Sequence, residues 1–552
     1  QTADPSAPDA LLACAKHYVA YGAAEGGRDY DATEISEFTL HNVYLRPFQA
    51  AVQEAGVASV MCGFHTIGGE AVSGSRRLLT DILKHEWDWD GFVVSDWGSV
   101  EQLRGHGVAA DLRAAAAIGF NAGVDMEMTA LSYPEHLEEL IEAGMVAESR
   151  LDDAVRRILT AKFKAGLFER PYVDEQRWNQ VKRCPEHVSM AVELACRSMV
   201  LLRNDGILPL SVHSDAQSGK PHIVVGGPFA HERRAHLGSW CLRWDHDEIT
   251  SIADGLRAAM DGDAWIDIEE SPFVDRLLVK AVSGACGQQA VRLTAVVLCV
   301  GESEANNGEA SSTASLQLPA DQEALIEQVG SRALPLVVVN CSGRPLVSPA
   351  AERYANAILQ AWNLGTEAGT AIARVLFGQA EPGGRLPITI PANSAQVPCY
   401  YNRKPVGKIH EWPHYQAYRD EAFQPLYRFG YGLGYTTWAY EDLRLSTPRI
   451  SAGESIAATV TVRNTGQRAG STVVQCYLRD PVASIARPVR ELVGFQRIQL
   501  DPGEQQEVVF DLGPEQLAYY GASHRWGVDP GTFQVFVGGD SSATLQEDFV
   551  VV

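Results

Sequence analysis

The chain has 552 residues, of which 46% are hydrophobic and 21% charged. This composition is typical of soluble globular proteins, and the length predicts two to four domains. With 46 basic and 69 acidic residues, the formal net charge is -23. The surplus of acid argues against a nucleic acid or an anionic membrane as partner and suits a neutral substrate. No apolar run approaches the roughly 20 residues needed to cross a bilayer.

Two features bear on the cellular compartment and leave it open. The amino-terminal residues lack the basic and apolar segments of a signal peptide, so we expect a processed or cut end. The ten cysteines are scattered without C-x-x-C spacing, and Cys299 and Cys341 lie inside apolar runs. Buried free thiols are therefore expected, rather than a disulfide framework or a zinc site.

Residues 1–170 alternate short apolar strands with helical patterns. Strands are predicted at 13–19, 59–61, 92–94 and 123–126, and helices near 34–55, 75–87, 111–119 and within 133–166. Repeated units of this kind predict a parallel sheet with helices outside it, either a barrel or a doubly wound fold. A closed eight-unit barrel takes about 250 residues. We therefore expect either an open sheet or the C-terminal part of a barrel whose upstream strands are absent from this chain.

Three further regions follow. Residues 171–395 carry short apolar runs without alternation, which predict a second α/β domain with buried strands. Residues 396–436, rich in Tyr, Pro and Trp, are predicted to be a linker wrapped on the surface. Residues 437–552 change to alternating strands separated by turn signals, which predict a β-sandwich.

The stretch from Gly91 to Gly98 contains the first candidate for chemistry. Phe92-Val93-Val94 predicts a buried parallel strand, and Asp96 follows it. Because carboxyl ends of parallel strands face the ligand in α/β folds, a carboxylate there is a catalytic candidate. The alternative is that Asp96 caps the next helix.

Several separated motifs, taken in order, resemble glycoside hydrolase family 3, in particular its bacterial β-glucosidase branch. The resemblance runs from about residue 13 to the end of the chain. It implies a (partial) TIM-type β/α barrel, an α/β sandwich and a C-terminal fibronectin type III-like β-sandwich, an α/β plus all-β fold class. The motifs are Lys16-His17-Tyr18, Glu25 to Tyr30, Ser59-Val60-Met61, Leu78 to Leu83, Gly91 to Gly98, Gly308 to Ser312, Gly384 to Pro387 and Phe429 to Thr437.

The resemblance implies that Asp96 is the nucleophile and Glu309 the general acid/base. A retaining glycosidase needs two carboxyl groups about 5 Å apart, one attacking the anomeric carbon and one donating a proton. From the residues alone, Glu302 and Glu304 compete with Glu309 in the same acidic loop.

Five more residues match positions that bind substrate in the family. Lys16 and His17 match a pair that hydrogen-bonds sugar hydroxyls, although adjacent strand residues face opposite sides unless the strand end twists. Met61 and Phe64 match pocket walls, and Trp97 offers a face for stacking on a sugar. Ordinary packing or solvation is the alternative for each of them.

The sequence also departs from the family pattern. Phe64 stands where Tyr is usual, so that a hydroxyl is lost, Gly68 replaces an Asn, and Thr313 replaces an Arg. The upstream segments that supply an Asp and an Arg to the sugar site have no counterpart here.

We expect a retaining exo-β-glucosidase that releases terminal non-reducing β-D-glucosyl residues from oligosaccharides or aryl glucosides. A β-xylosidase or mixed-specificity β-glycosidase is the alternative, and a non-catalytic sugar-binding or scaffold protein is an alternative of another class. No cofactor, metal, nucleic acid or membrane partner is expected, and the substrate is a small carbohydrate. A homodimer is left open, and the resemblance slightly favours a periplasmic or secreted location.

Overall fold

A computed structural model describes residues 4–211, 220–260, 265–268, 285–286, 289–407 and 418–552. The chain forms two compact units, Gln1–Val181 and Lys182–Val552, and each is described by itself. In the described ranges, no helix combines the length and the apolarity that crossing a bilayer requires.

The first unit is built on a sheet of parallel strands. Its strands and a small hairpin are β1 (Cys14–Tyr18), β2 (Ser59–Cys62), β3 (Thr66–Ile67), β4 (Glu70–Ala71), β5 (Phe92–Trp97) and β6 (Met126–Met128). The sheet order is β1-β2-β5-β6, and every neighbouring pair is parallel. Val60 and Val93 are fully buried in the core, as expected for central strands of a parallel sheet. The predicted parallel sheet is confirmed.

Helices connect these strands. They are α1 (Glu37–Thr39), a π-helical segment Leu40–Leu45, α2 (Arg46–Gln53), a second π-helical segment Arg77–Glu86, α3 (Leu112–Ala122), α4 (Ser132–Glu142), α5 (Glu148–Lys164) and α6 (Glu175–Val181). Asp111 caps α3 by accepting a hydrogen bond from the Ala114 N–H, at 2.7 Å, which satisfies one of the free donors at a helix start.

A buried charge cluster lies at the amino-terminal end of β5. The Asp125 side chain is fully buried and accepts hydrogen bonds from Lys84 Nζ and the Val93 N–H, each at 2.8 Å. Arg150 Nη2 lies 2.7 Å from the same carboxylate. Burial lowers the pKa of Lys84 to about 8, while Asp125 opposes that shift. The cluster therefore ties β5 to two helical segments at the end opposite Asp96.

The second unit begins with a mixed sheet. Its strands are β7 (Val200–Asn204), β8 (Lys220–Gly226), β9 (Trp265–Ile268), β10 (Ala285–Cys286), β11 (Gln289–Gly301), β12 (Leu336–Cys341) and β13 (Ala357–Gln360). The order is β7-β13-β12-β11-β8-β9, with β10 paired to β11. β7 runs antiparallel to β13, and β11, β12 and β13 are mutually parallel.

Helices cover both faces of this sheet, and consecutive strand residues therefore enter two different cores. Ile223 and Val225 pack in one core, and Val224 packs in the other. Cys299 and Cys341 are buried as free thiols, as predicted. The helices are α7 (Pro185–Ser198), α8 (Ile252–Ala258), α9 (Ala320–Gly330), α10 (Pro349–Tyr354) and α11 (Ala368–Leu376).

The last part of the chain is a β-sandwich. Its elements are β14 (Trp438–Leu445), β15 (Arg449–Ile450), β16 (Ile456–Asn464), β17 (Gly470–Arg479), β18 (Glu491–Leu500), β19 (Gln505–Leu512), α12 (Pro514–Leu517), β20 (Tyr519–Tyr520), β21 (Trp526–Gly527), β22 (Gly531–Gly538) and β23 (Leu545–Val551). One sheet has the order β14-β16-β19, and the other β15-β23-β22-β17-β18. Alternate residues of β16 are buried, which is the period of a strand with one face toward a core.

The predicted linker is held down by its tyrosines. Tyr427 donates to Glu352 at 2.7 Å, and the Tyr435 hydroxyl donates to the Val375 carbonyl at 2.7 Å. Tyr401 stacks on Phe429 with ring centroids 4.1 Å apart. Residues 408–417 of the predicted linker lie outside the described residues.

Candidate active site

Asp96 lies near the carboxyl end of β5 and is 8% exposed. Its Oδ1 accepts a hydrogen bond from the Trp97 N–H at 2.8 Å. The Ser95 hydroxyl donates to the Asp96 carbonyl and accepts from the Met128 N–H on β6. These bonds fix the backbone and one oxygen of the carboxylate, which is the preorganisation that a reacting group needs.

The alternative role of Asp96 as a helix cap is wrong. The next helical turn runs from Glu101 to Leu103, with Val100 at its N-cap position and no side-chain cap. The Asp96 side chain instead bonds the N–H of the very next residue, Trp97. Its carboxylate is therefore not committed to holding a helix.

His17 approaches this carboxylate. Its Nε2 lies 3.3 Å from Asp96 Oδ2. The pairing register of β1 with β2 shifts between Ala15 and Tyr18, so β1 is irregular at its end. Tyr18 is fully buried, while Lys16 is exposed and His17 half-buried.

A cluster of aromatic side chains packs next to His17. The Tyr21 ring lies 5.4 Å from the His17 ring and 5.9 Å from Phe64, centroid to centroid. Phe64 is 6% exposed and also contacts Tyr30, at 5.0 Å. The Tyr21 hydroxyl donates to Asp29 Oδ1 at 2.5 Å. Burial and this hydrogen bond raise the pKa of Tyr21, so that it remains a protonated donor and ties the 25–30 loop to the site.

The other predicted contact residues of this unit differ in exposure. Met61 on β2 is half-buried and lies opposite Val94 of β5 in the ladder. Trp97 is 68% exposed, so it is not a core residue of this unit. An exposed indole beside a carboxylate presents an apolar face for stacking.

The loop after β2 is shaped by a buried histidine and two glycines. Burial lowers the pKa of His65 to about 4, so the ring is neutral near pH 7, and its Nε2–H donates to the Val19 carbonyl at 3.0 Å. Gly68 and Gly69 connect β3 to β4 with φ of 56° and 82°. A two-residue turn with both φ positive favours glycine or asparagine, which explains why Gly68 can stand in place of Asn.

Glu309 lies in the second unit, in the loop from Glu302 to Pro319 between β11 and α9, and is exposed. Gly308 before it has a φ of 106°, and a Cβ there would meet Ser239 at 2.5 Å. Ala310 after it also has a positive φ, of 58°. The Thr313 hydroxyl donates to the Asn306 carbonyl at 2.8 Å. Thr313, found where the family has Arg, thus closes the loop segment that carries Glu309.

The competing acids of this loop have other surroundings. Glu302 is 5% exposed, and both its oxygens bind Arg344, at 2.7 and 2.8 Å. Both oxygens of Glu302 are therefore occupied by the guanidinium fork. Glu304 begins a short 3-10 turn ending at Asn306. Glu309, in contrast, is exposed and lies outside both the ion pair with Arg344 and the 3-10 turn.

Three residues beside these candidates were not predicted. Tyr21 and Ser95 lie within or next to the quoted motifs, and their role depends on side-chain geometry that a motif does not encode. Arg344 binds Glu302 across 42 positions of the chain, and no local pattern signals that pairing. No group of three or more metal-ligating side chains occurs among the residues that the structure covers.

Comparison with known proteins identifies the family. Residues 4–161 match the glycosyl hydrolase family 3 N-terminal domain, 199–435 the family 3 C-terminal domain, and 472–541 a fibronectin type III-like domain. The chain is 37% identical to a periplasmic beta-glucosidase of Salmonella typhimurium, over 100% of this chain and 74% of that protein. The chain belongs to glycoside hydrolase family 3. The resemblance inferred from its motifs and the predicted fold class are confirmed.

This family 3 glycoside hydrolase is also 36% identical to a beta-xylosidase of Formosa agariphila, over 97% of this chain and 74% of that one. The crystal structure of beta-glucosidase from Listeria innocua in complex with glucose has a TM-score of 0.90 and 33% identity, and it covers 100% of this chain and 75% of that chain. A mutant of that enzyme in complex with laminaribiose has a TM-score of 0.91 and 31% identity, over 100% and 76% of the two chains.

Proposed function

We propose that this family 3 hydrolase is a retaining exo-β-glucosidase acting on terminal non-reducing β-D-glucosyl residues of oligosaccharides or aryl glucosides. The carrying observation is the carboxylate of Asp96 at a strand's carboxyl end, with one oxygen fixed by the Trp97 N–H and the other 3.3 Å from His17 Nε2. The relatives named beta-glucosidase, one of them solved with glucose, support the sugar.

In the first step, Asp96 attacks the anomeric carbon and forms a glycosyl ester, while Glu309 donates its proton to the departing oxygen. In the second step, Glu309 takes a proton from water, the water oxygen bonds to the anomeric carbon, and the ester bond to Asp96 breaks. Two inversions leave the β configuration unchanged. His17 and Lys16 are proposed to hydrogen-bond sugar hydroxyls, and Met61, Phe64 and Trp97 to form the walls.

The catalytic assignment is tested with Asp96→Asn and Glu309→Ala. Loss of a nucleophile is expected to lower kcat by about 10⁴-fold or more, and trapping with a 2-fluoroglucoside should label the peptide that contains Asp96. Glu309→Ala should lose activity on poor leaving groups. On 2,4-dinitrophenyl glucoside, whose leaving group departs without a proton, added azide should attack the glycosyl ester in place of water, restore turnover and yield a β-glucosyl azide. Asp81→Asn and Glu304→Gln serve as controls that retain activity. Binding of glucose without turnover by the wild type would instead support a sugar-binding protein.

A β-xylosidase is the second candidate, because a relative of that name is 36% identical to the chain. The two differ in whether the pocket accepts the C6 hydroxymethyl group. The ratio of kcat/KM for 4-nitrophenyl glucoside and xyloside measures the difference. A ratio above one supports the glucosidase, and a ratio below one the xylosidase.

A periplasmic or secreted location is also proposed, supported by the relative named periplasmic beta-glucosidase. Cell fractionation of the native host tests it. A homodimer stays a prediction, and light scattering from the purified protein decides between one and two copies.

A further inference from the structure

The loop that carries Glu309 has little regular structure of its own. Between Gly301, the last residue of β11, and Ala320, the first of α9, it forms one short 3-10 turn from Glu304 to Asn306. An irregular loop of this length has many accessible conformations, and ordering it costs conformational entropy at every residue. A proton donor on such a loop must therefore be held by contacts from elsewhere.

Arg344 supplies contacts at both ends of this loop. Its Nε and Nη2 donate to the two oxygens of Glu302, at 2.8 and 2.7 Å, at the loop's start. Its Nη1 donates to the Ser315 carbonyl, at 2.7 Å, near the loop's end. One guanidinium thus closes the segment 302–315, which contains Glu309 near its middle.

The loop's start and Arg344 are themselves fixed. The Glu302 N–H donates to the Cys341 carbonyl at 3.0 Å, so this residue extends the hydrogen-bonded pairing of β11 with β12. The Ser342 hydroxyl donates to the Arg344 carbonyl at 2.6 Å and accepts from Gln360 Nε2 on β13. Arg344 is therefore anchored to the central strands of the sheet rather than to another loop.

The Glu302–Arg344 pair contributes more to the relative orientation of its two partners than to the free energy of folding. The Glu302 side chain is 4% exposed and that of Arg344 20%. Removing both charges from water offsets most of their attraction, so a buried ion pair adds little net stability. A planar bidentate fork, in contrast, fixes the relative orientation of its two partners. We infer that Arg344 is a positioning residue for Glu309, which it orients by clamping both ends of the loop.

This inference rests on the proposed acid/base role of Glu309 and predicts a specific kinetic pattern. A misplacement of a catalytic group by 1 Å costs about 100-fold in rate. Proton donation matters for substrates whose leaving group is a poor one and is dispensable for 2,4-dinitrophenolate. Arg344→Met should therefore lower kcat/KM by about 100-fold on 4-methoxyphenyl glucoside and cellobiose, with little change on 2,4-dinitrophenyl glucoside.

The chain provides a matched control. Arg203 also binds a carboxylate with two nitrogens, Asp205, and donates to a backbone carbonyl, that of Glu352. It lies on β7, away from the loop. Arg203→Met should leave the dependence of kcat/KM on the leaving group unchanged, because it removes a similar set of bonds without touching the loop.

The experiment compares Arg344→Met, Arg344→Lys, Glu302→Gln, the double variant Glu302→Gln/Arg344→Met, and Arg203→Met across a series of aryl glucosides. Lysine keeps the charge but lacks the fork, so Arg344→Lys should not restore proton donation. The double variant removes the charge pair without leaving a buried ion, which keeps the test open if a single variant fails to fold.

Two results separate the inference from the proposed function. If Glu309→Ala shows the leaving-group dependence and azide rescue but Arg344→Met and the double variant lose activity equally on all substrates, or not at all, the positioning role is overturned. If Glu309→Ala itself shows neither, the proposed function fails first.

Discussion

His17 Nε2 lies 3.3 Å from Asp96 Oδ2, although the two residues lie on strands that are not neighbours in the sheet. β2 runs between β1 and β5, so the two side chains approach each other across an intervening strand. Among the described residues, none donates a hydrogen bond to that carboxylate oxygen. The Asp96 Oδ2 atom therefore has an imidazole beside it without being fixed by a hydrogen bond, which leaves it available for chemistry.

Replacing His17 by Ala should therefore reduce catalysis more than stability. The hydrogen bond proposed between His17 and a sugar hydroxyl contributes about 0.5–1.5 kcal/mol, which corresponds to about 2- to 12-fold in kcat/KM. The measurement is steady-state kinetics on an aryl glucoside beside thermal unfolding. His85→Ala, whose side chain is 66% exposed, is the control. Unchanged kcat/KM in the His17 variant would contradict a role at the site.

Asp125→Asn tests the opposite end of β5. Asp125 neutralises Lys84 and Arg150, and removal of its charge leaves two cations with a buried amide. Breaking one partner of a buried pair costs about 3–5 kcal/mol. We expect that loss in the free energy of unfolding measured with urea. The kcat, calculated per active site from active-site titration, should stay near the wild-type value.

Lys84→Met is the matched comparison for this cluster. It leaves Asp125 with Arg150 and the Val93 N–H, so no uncompensated charge remains. Its loss of stability should be smaller than that of Asp125→Asn. Equal losses would mean that packing, and not charge, dominates the cluster.

Much of the fold follows from local pattern, and the exceptions have physical causes. β12 is buried on both faces and is therefore apolar throughout, and β16 is buried on one face and therefore alternates. Both patterns identify a strand in the sequence. β9, at the sheet edge, is four residues long with a polar residue in it, and β18 carries Gly494 and an exposed Phe495. Neither satisfies a simple period, and neither was predicted.

The site could be predicted only in part. Asp96 follows a recognisable strand, so that its position is implied by the chain, whereas Glu309 emerged from motif order and not from any local property. The structure adds what distinguishes it from Glu302, the ion pair with Arg344. Pairings between residues far apart in sequence, such as this one, arise when strands are placed side by side, and a linear pattern does not contain that information.

The stability of the second unit should fall in weak acid because of His236. This residue is 1% exposed, and burial lowers its pKa to about 4 from an ordinary value of 6.5. Between these pH values the unfolded chain binds a proton that the folded protein does not. The stability from the neutral ring is present above pH 6.5 and is lost as the pH falls through 4, by about 3 kcal/mol in total.

The measurement for His236 is the unfolding free energy at several pH values between 7.5 and 4. His236→Gln lowers stability throughout, because the packing changes, but its slope with pH should be shallower by up to one proton. His246→Gln is the control, since that side chain is 64% exposed. Identical slopes for the wild type and the His236 variant would contradict the assigned pKa.

Glu381 joins the α/β part of the second unit to its sandwich. Its Oε2 accepts from the Ser471 N–H on β17 at 2.6 Å, and its Oε1 accepts from the Tyr435 N–H at 3.1 Å. Glu381→Ala removes both acceptors and leaves two backbone donors without them, at about 1–3 kcal/mol for each donor that stays buried. We expect a lower midpoint by calorimetry, with the sandwich unfolding as a separate, earlier transition.

Glu441→Ala, which breaks an exposed pair with Arg463, should shift the midpoint little because exposed ion pairs contribute about 0–1 kcal/mol. A single unshifted transition in the Glu381 variant would mean that other contacts hold the two parts together.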